Sequence, residues 1–207
     1  MIEFWTNPMS RGQIAHGMLE ELGHPYTTNW LDFGPGGNKS ADFLAVNPMG
    51  KVPTIRHDGK VVTEAAAICL YLADAFSQAK LKPAGAAELA DYYRFTLFAA
   101  GPMEQAVTAR ALGWHVPEGR DGMAGFGSFD GAVSAMEKML TGRDFVCGKT
   151  FTAADVYVGS TIDWGLAFKS IPSCPAFETY AERVRARPAY TSAKAINGTR
   201  IAATHKT

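Results

Sequence analysis

The chain has 207 residues, 47% of them hydrophobic, with 20 basic and 20 acidic side chains and a formal net charge of zero. This length and apolar content suit one large domain or two small ones with a packed core, and exclude disorder over most of the chain. The neutral balance without a basic run excludes an electrostatic footprint for nucleic acid or an anionic membrane, while three widely spaced cysteines (Cys69, Cys147, Cys174) make neither a disulfide framework nor a metal knot.

The N-terminus lacks a basic stretch leading into an apolar run and cleavage site, and polar residues interrupt every apolar run well short of a bilayer span. A soluble, cytoplasmic protein in a reducing compartment is expected. Residues 2–6 read as a short strand, and 10–22 as a helix with Ile14, Met18, Leu19 and Leu22 on one face. Gly23 stops that helix and Pro25 prevents its restart. Residues 26–31, rich in Thr and aromatics, form a second strand. A Gly-rich loop, "GPGGNKS", leads into a short helix over 40–46. "KVPTIRHDGKVV" reads as a hairpin turning at Asp58-Gly59. A helix over 64–76 then buries Ile68, Leu72 and Phe76.

The order is β-α-β-α-β-β-α within about eighty residues. Its strand–helix–strand opening favours parallel pairing through a right-handed crossover, and the hairpin adds an antiparallel pair. Residues 77–87 lack an apolar stripe and read as a linker. Beyond them a helical pattern over 88–112 is broken at Gly101-Pro102, where proline removes a backbone bond. Further helices are expected over 123–140, 152–168 and 176–186, with no strand after residue 80. The fold class is α/β followed by all-α. The domains are placed at 1–78 and 88–207, with the linker proper at 79–87.

Two short stretches carry more information. In "FTAADV", Thr152 is placed as an N-cap and Asp155, three residues on, closes a capping box with its charge at the positive helix end. In "NPMGKVPTI", Pro53 opens a strand, which sheets tolerate only at an edge or where the missing N–H faces away from the ladder. The Val52-Pro53 bond is trans by default. A cis bond would turn the Val52 N–H and C=O outward, where an extended peptide can pair with them.

"FLAVNPMGKVPTI" followed by "DGKVVTEAAAICLYLADAF" resembles the N-terminal domain of the glutathione transferase superfamily, and "FVCGKTFTAADVYV" resembles a segment of its helical half. The likeness spans nearly the whole chain. It implies a thioredoxin-like N-terminal domain, an all-helical second domain, a homodimer, and glutathione as co-substrate without a metal. It also implies roles. Val52, before a cis Pro53, would pair with the cysteinyl backbone, and Glu64 would receive the γ-glutamyl ammonium. The Ala65 N–H would bind the α-carboxylate at a helix start, and Lys51 would lie near the glycyl carboxylate. Ala65 departs from the family pattern, which has Ser, and loses a hydroxyl donor. The bland readings are that Glu64 only favours its own helix end and Lys51 is a solvated turn residue.

A transferase of this kind needs an ionised thiol, which a hydroxyl donor at a helix N-terminus stabilises. Members use Tyr, Ser or Cys there. This chain has no Tyr before Tyr26 and no Cys before Cys69, so the Ser-type bacterial cytosolic pattern aligns best, with Ser10 as the donor and Asn7 in reserve. Arg11 adds positive charge. "SRGQ" is also a capping box, Ser10 at N-cap and Gln13 at N3, so the two readings compete for one hydroxyl. A redox C-x-x-C is replaced by Ser10, Arg11, Gly12 and Gln13, against disulfide exchange. A hydrophobic electrophile would bind between the domains, with Tyr92, Phe95, Phe98, Met103 and Trp114 as candidate walls, although most such stripes are core. Five scattered histidines suggest no metal site. The leading function is thiolate addition to hydrophobic electrophiles, with hydroperoxide reduction as a variant. A non-catalytic binding module and a glutathione-dependent isomerase are the alternatives.

Overall fold

Along β1 (Ile2–Thr6) every second side chain is buried, so Ile2, Phe4 and Thr6 face the core while Glu3 and Trp5 are half-buried. In the computed structural model, which describes residues 1–204, this strand is an inner member of a four-stranded sheet of order β2-β1-β3-β4. β2 (Tyr26–Trp30) runs parallel to β1, whereas β3 (Thr54–His57) is antiparallel to β1 and to β4 (Lys60–Thr63). The parallel pair needs its crossover, and α1 (Gly12–Leu22) supplies it. The hairpin turns through Asp58 (φ 48°) and Gly59 (φ 79°), the left-handed pair that a tight two-residue turn requires.

Ile14, Met18 and Leu19 of α1 and Ile68 and Leu72 of α3 (Ala65–Ala75) are buried beside Ile2, Phe4 and Ile55 of the sheet. Each fully buried side chain of this kind contributes about 1.5–3 kcal/mol. Gly23 takes the left-handed conformation that ends α1. α2 (Ala41–Val46) is capped by Ser40, which accepts the Phe43 N–H.

By packing, the chain divides into Met1–Lys80 together with the stretch from Ala186, and Leu81–Arg185. The last helix, α9 (Pro188–Thr204), therefore joins the first unit rather than the helical one that the sequence pattern groups it with. The reason is a set of polar bonds to α1. Arg187 forks onto Glu21 (2.5 and 2.7 Å), Ser192 donates to Glu20, and Lys194 donates to Gln13 (3.0 Å). The Asn197 amide donates to both the Ala193 carbonyl (2.7 Å) and His16 Nδ1 (3.1 Å). That donation makes Nδ1 an acceptor, so His16 carries its proton on Nε2 and gives it to the Tyr26 hydroxyl (2.9 Å), which in turn donates to Glu20 (2.5 Å).

His16 is fully buried among the rings of Phe4, Tyr26 and Trp30. Burial lowers its pKa below the ordinary 6.5, against the opposing pull of Asn197 and Glu20. The fold thus favours the neutral ring. Below pH 6.5 the unfolded chain binds a proton that the folded one resists, so stability falls with acidification. The unfolding free energy, followed by urea titration from neutral pH to below 6.5, should drop with a slope approaching about 1.4 kcal/mol per pH unit from this group. His16→Gln should flatten that part of the curve. An unchanged slope would remove His16 from the acid response.

In the second unit α4 (Ala86–Phe98) continues through a π-helical turn over Ala99–Met103 into α5 (Glu104–Ala111). Pro102 lies in that turn, at the interruption expected from its missing N–H. α6 (Phe129–Leu140) starts six residues later than the sequence pattern suggests. Gly127 (φ 64°) breaks the run, and the Ser128 hydroxyl caps the true start by accepting the Gly131 N–H. α7 (Ala153–Ala167) and α8 (Pro175–Arg185) complete the unit. Leu81, within the expected linker, is buried, and its carbonyl accepts the Ala153 N–H (2.8 Å).

The capping box at Thr152 is present. Asp155 is fully buried and accepts from the Thr152 N–H (2.8 Å), the Thr152 hydroxyl (2.9 Å), the Val146 N–H (2.7 Å) and the Tyr180 hydroxyl (2.8 Å). A helix cap thereby also ties α8 and the 145–147 segment to the start of α7. Among the described residues no helix is long and apolar enough to cross a membrane.

Candidate active site

Strand register decides what comes together. Thr6, the last residue of β1, pairs with Trp30 at the end of β2. Trp5 pairs with Thr54 at the start of β3, and Thr54 pairs with Thr63 at the end of β4. The segments leaving or entering these positions therefore gather at one end of the sheet: the 7–13 turn, the 47–53 loop, and Glu64-Ala65 at the start of α3.

In the first segment the Ser10 hydroxyl donates to the Asn7 carbonyl (2.7 Å) and accepts the Gly12 N–H (2.9 Å). The expected capping box is not formed. Ser10 takes the Gly12 rather than the Gln13 N–H, the helical N-cap falls at Arg11, and the Gln13 amide bonds the Pro8 carbonyl (2.6 Å) and Lys194 instead. Gly12 is needed here, because a Cβ would lie 1.9 Å from Thr6 Oγ1 and 2.9 Å from Ser10 Oγ. Ser10 remains half-buried and Arg11 exposed. Asn7 is buried; its amide donates to the Leu31 carbonyl and its oxygen accepts the Met9 N–H, both at 2.8 Å, so it joins the ends of β1 and β2.

In the second segment the Val52-Pro53 bond is cis. Pro53 is buried, Val52 half-buried and Lys51 exposed. No hydrogen bond to the Val52 N–H or C=O is formed among the described residues. Two asparagines, not singled out from the sequence, shape this loop. Asn47 donates to the Lys51 carbonyl (2.8 Å) and the Thr54 hydroxyl (3.1 Å) and accepts the Met49 N–H. Asn38 donates to the Gly50 carbonyl (2.8 Å) and accepts the Gly34 N–H, linking the Gly-rich loop to it. The "NP" of the motif signalled the first; nothing local signalled the second.

In the third segment Glu64 has φ 66° and ψ 119°, a left-handed conformation that costs a non-glycine residue about 1–3 kcal/mol. Its carbonyl accepts the Ile68 N–H, and its exposed side chain makes no cap. Ala65, buried, is the first helical residue, where N–H groups lack an intrahelical partner. This sheet end thus offers a hydroxyl, a Val52 backbone without a hydrogen bond among the described residues, a carboxylate and a helix N-terminus. Groups of these kinds can pair with the ammonium, carboxylates, backbone and thiol of a short peptide.

None of the cysteines belongs to these three segments. Burial pushes the Cys69 thiol up to about 12 and the Cys147 thiol up to about 11, so both are protonated at neutral pH. Of the candidate apolar walls, Tyr92, Phe95 and Met103 belong to the core of the helical unit, Phe98 is half-buried, and Trp114 is exposed. Among the described residues no group of three His, Cys, Asp or Glu side chains could hold a metal ion, and His205 lies outside those residues.

A thioredoxin-like sheet unit followed by an all-helical unit defines the fold. Residues 9–75 match the family model for the glutathione S-transferase N-terminal domain and residues 123–188 that for the C-terminal domain. Glutathione S-transferase A of Pleuronectes platessa is 31% identical over 157 residues, covering 68% of this chain and 67% of its own. A glutathione transferase structure from Methylococcus capsulatus superposes with a TM-score of 0.79 at 27% identity, covering 96% of this chain and 100% of that one. A sphingomonad glutathione S-transferase complexed with glutathione gives a TM-score of 0.76 at 28% identity, covering 95% and 98%. The chain belongs to the glutathione S-transferase family and is an enzyme of that class.

Proposed function

We propose that the chain binds glutathione along Val52, ionises its thiol at Ser10, and adds the thiolate to hydrophobic electrophiles. The observation that carries this reading is the half-buried Ser10 hydroxyl at the same sheet end as the unpaired Val52 backbone. The hydroxyl has one proton and a free choice of acceptor. Its present acceptor, the Asn7 carbonyl, also receives the Ser10 N–H (3.1 Å), so turning the O–H toward a thiolate leaves that carbonyl bonded. The Gly12 N–H bond uses a lone pair and persists. Ser10 therefore closes the turn and serves the thiolate at once, while Asn7, engaged on both sides of its amide, ranks behind it.

The remaining contacts follow in kind. Glu64 receives the ammonium of the γ-glutamyl end, the Ala65 N–H its carboxylate at the positive end of α3, and Lys51 the glycyl carboxylate. Catalysis on this reading is mainly pKa lowering and positioning. The same thiolate suits hydroperoxide reduction. A homodimer in a reducing, cytoplasmic compartment completes the proposal; exposed Tyr93 and Leu97, four apart on α4, offer an apolar face for it.

Ala65 favours the second reading, a non-catalytic module, because a methyl group stands where the family pattern supplies a hydroxyl to the γ-glutamyl carboxylate. One experiment separates the two. Retention on immobilised glutathione together with an ultraviolet thiolate signal at neutral pH supports the transferase. Retention without the thiolate signal supports the module, and neither at millimolar glutathione removes glutathione as the substrate.

A further inference from the structure

The turn that presents Ser10 is closed by one side chain. Gln13 reaches back five residues, and its Nε2–H donates to the carbonyl of buried Pro8 (2.6 Å), while its own backbone N–H donates to the Ser10 carbonyl (3.1 Å). Residues 8–13 are thus held as a ring with Ser10 inside it. The other end of the amide is occupied by the Lys194 ammonium, 3.0 Å from Oε1. A cation on the amide oxygen polarises the group and strengthens its N–H as a donor. It also adds positive charge at the first turn of α1, where a thiolate facing Ser10 would feel it.

Lys194 is held in place by its own helix. Asn197, one turn on, bonds His16, and Ser192 and Arg187 bond Glu20 and Glu21, so α9 is fixed along the length of α1. We propose that Gln13 is a positioning residue for the glutathione reaction, acting through the Pro8 carbonyl on the Ser10 hydroxyl, and that Lys194 of α9 orients and polarises it. This rests on Ser10 as the thiolate donor. It gives the C-terminal helix a part in the chemistry of a site built from the first 65 residues.

The test compares Lys194→Met, Lys194→Arg and Gln13→Glu with the wild-type enzyme. Readouts are the pKa of enzyme-bound glutathione from its ultraviolet thiolate absorbance, and kcat and KM with an activated aryl halide. Lys194→Met should raise the bound-thiol pKa by about one unit and lower kcat roughly tenfold, with KM for glutathione little changed because Val52 and Glu64 are untouched. Lys194→Arg should restore both. Gln13→Glu keeps the side-chain shape and pairs with Lys194, so the fold is retained. It nonetheless sets a carboxylate oxygen against the Pro8 carbonyl in place of the N–H, and should lose activity at least as far. A normal wild-type thiolate with no shift in Lys194→Met or Gln13→Glu overturns this inference alone, as does a fall in activity that tracks melting temperature and is not rescued by arginine. No thiolate in the wild type overturns the Ser10 reading and this inference together.

Discussion

Replacing Ser10 by alanine is expected to lower kcat/KM for glutathione conjugation by about 10²–10³-fold, the usual loss when one donor to a developing or resident anion is removed from a preorganised site. The pKa of the bound thiol should climb back toward the free value of about 8.5. On the proposed role, the thiolate loses the Ser10 hydroxyl, while the helix end and Arg11 remain. The fold should survive. Ser10 contributes one acceptor to the Gly12 N–H, and losing such a bond costs about 0.5–2 kcal/mol. Spectroscopic titration of bound glutathione and a melting curve on the same variant check the two halves separately. An unchanged thiolate pKa would transfer the role to Asn7.

The second large effect lies away from the chemistry. Asp155→Ala should destabilise the helical unit by about 3–5 kcal/mol, because each buried donor left without a partner costs about 1–3 kcal/mol and relaxation recovers only part of the total. Four donors depend on that one carboxylate: the Thr152 N–H and hydroxyl, the Val146 N–H and the Tyr180 hydroxyl. Urea unfolding of the full chain reads the change. A loss near 1 kcal/mol would mean that only the helix cap matters and that the Val146 and Tyr180 bonds are replaced by water. Seen from the sequence, Asp155 is one half of a capping box, and its expected worth is that of a cap. The larger figure comes from Tyr180, 25 residues on in α8, which no local pattern connects to it.

The same division runs through the site. Features set within a few residues were legible: the Asp58-Gly59 turn, the Gly23 stop, the interruption at Pro102 and the Thr152 cap. Each follows from a side chain acting on backbone within one turn of itself. The "KVP" and "TEA" stretches likewise located Val52 and Glu64 through their family pattern, and strand register explains why they end up beside the 7–13 turn. One expectation failed and one helix went unread for a shared reason. "SRGQ" reads as a capping box only while Gln13 is considered with its neighbours, and α9 lacks an apolar stripe strong enough to announce itself, with only Ala193 and Asn197 buried.

Both are decided by contacts across the chain. Lys194 meets Gln13 at a separation of 181 residues, and the Gln13 amide bonds the Pro8 carbonyl instead of closing the cap. α9 is held by polar bonds to α1 rather than by hydrophobic periodicity. By itself the sequence determined most of the elements and their order, through local backbone preferences and side-chain spacing, and the family, through its motifs. Only the tertiary structure decided which hydrogen-bond partner Ser10 takes, which unit claims the last helix, and how many donors rest on Asp155. A polar side chain has several partners of similar strength, and the choice among them is made by whichever distant segment the fold brings within 3 Å.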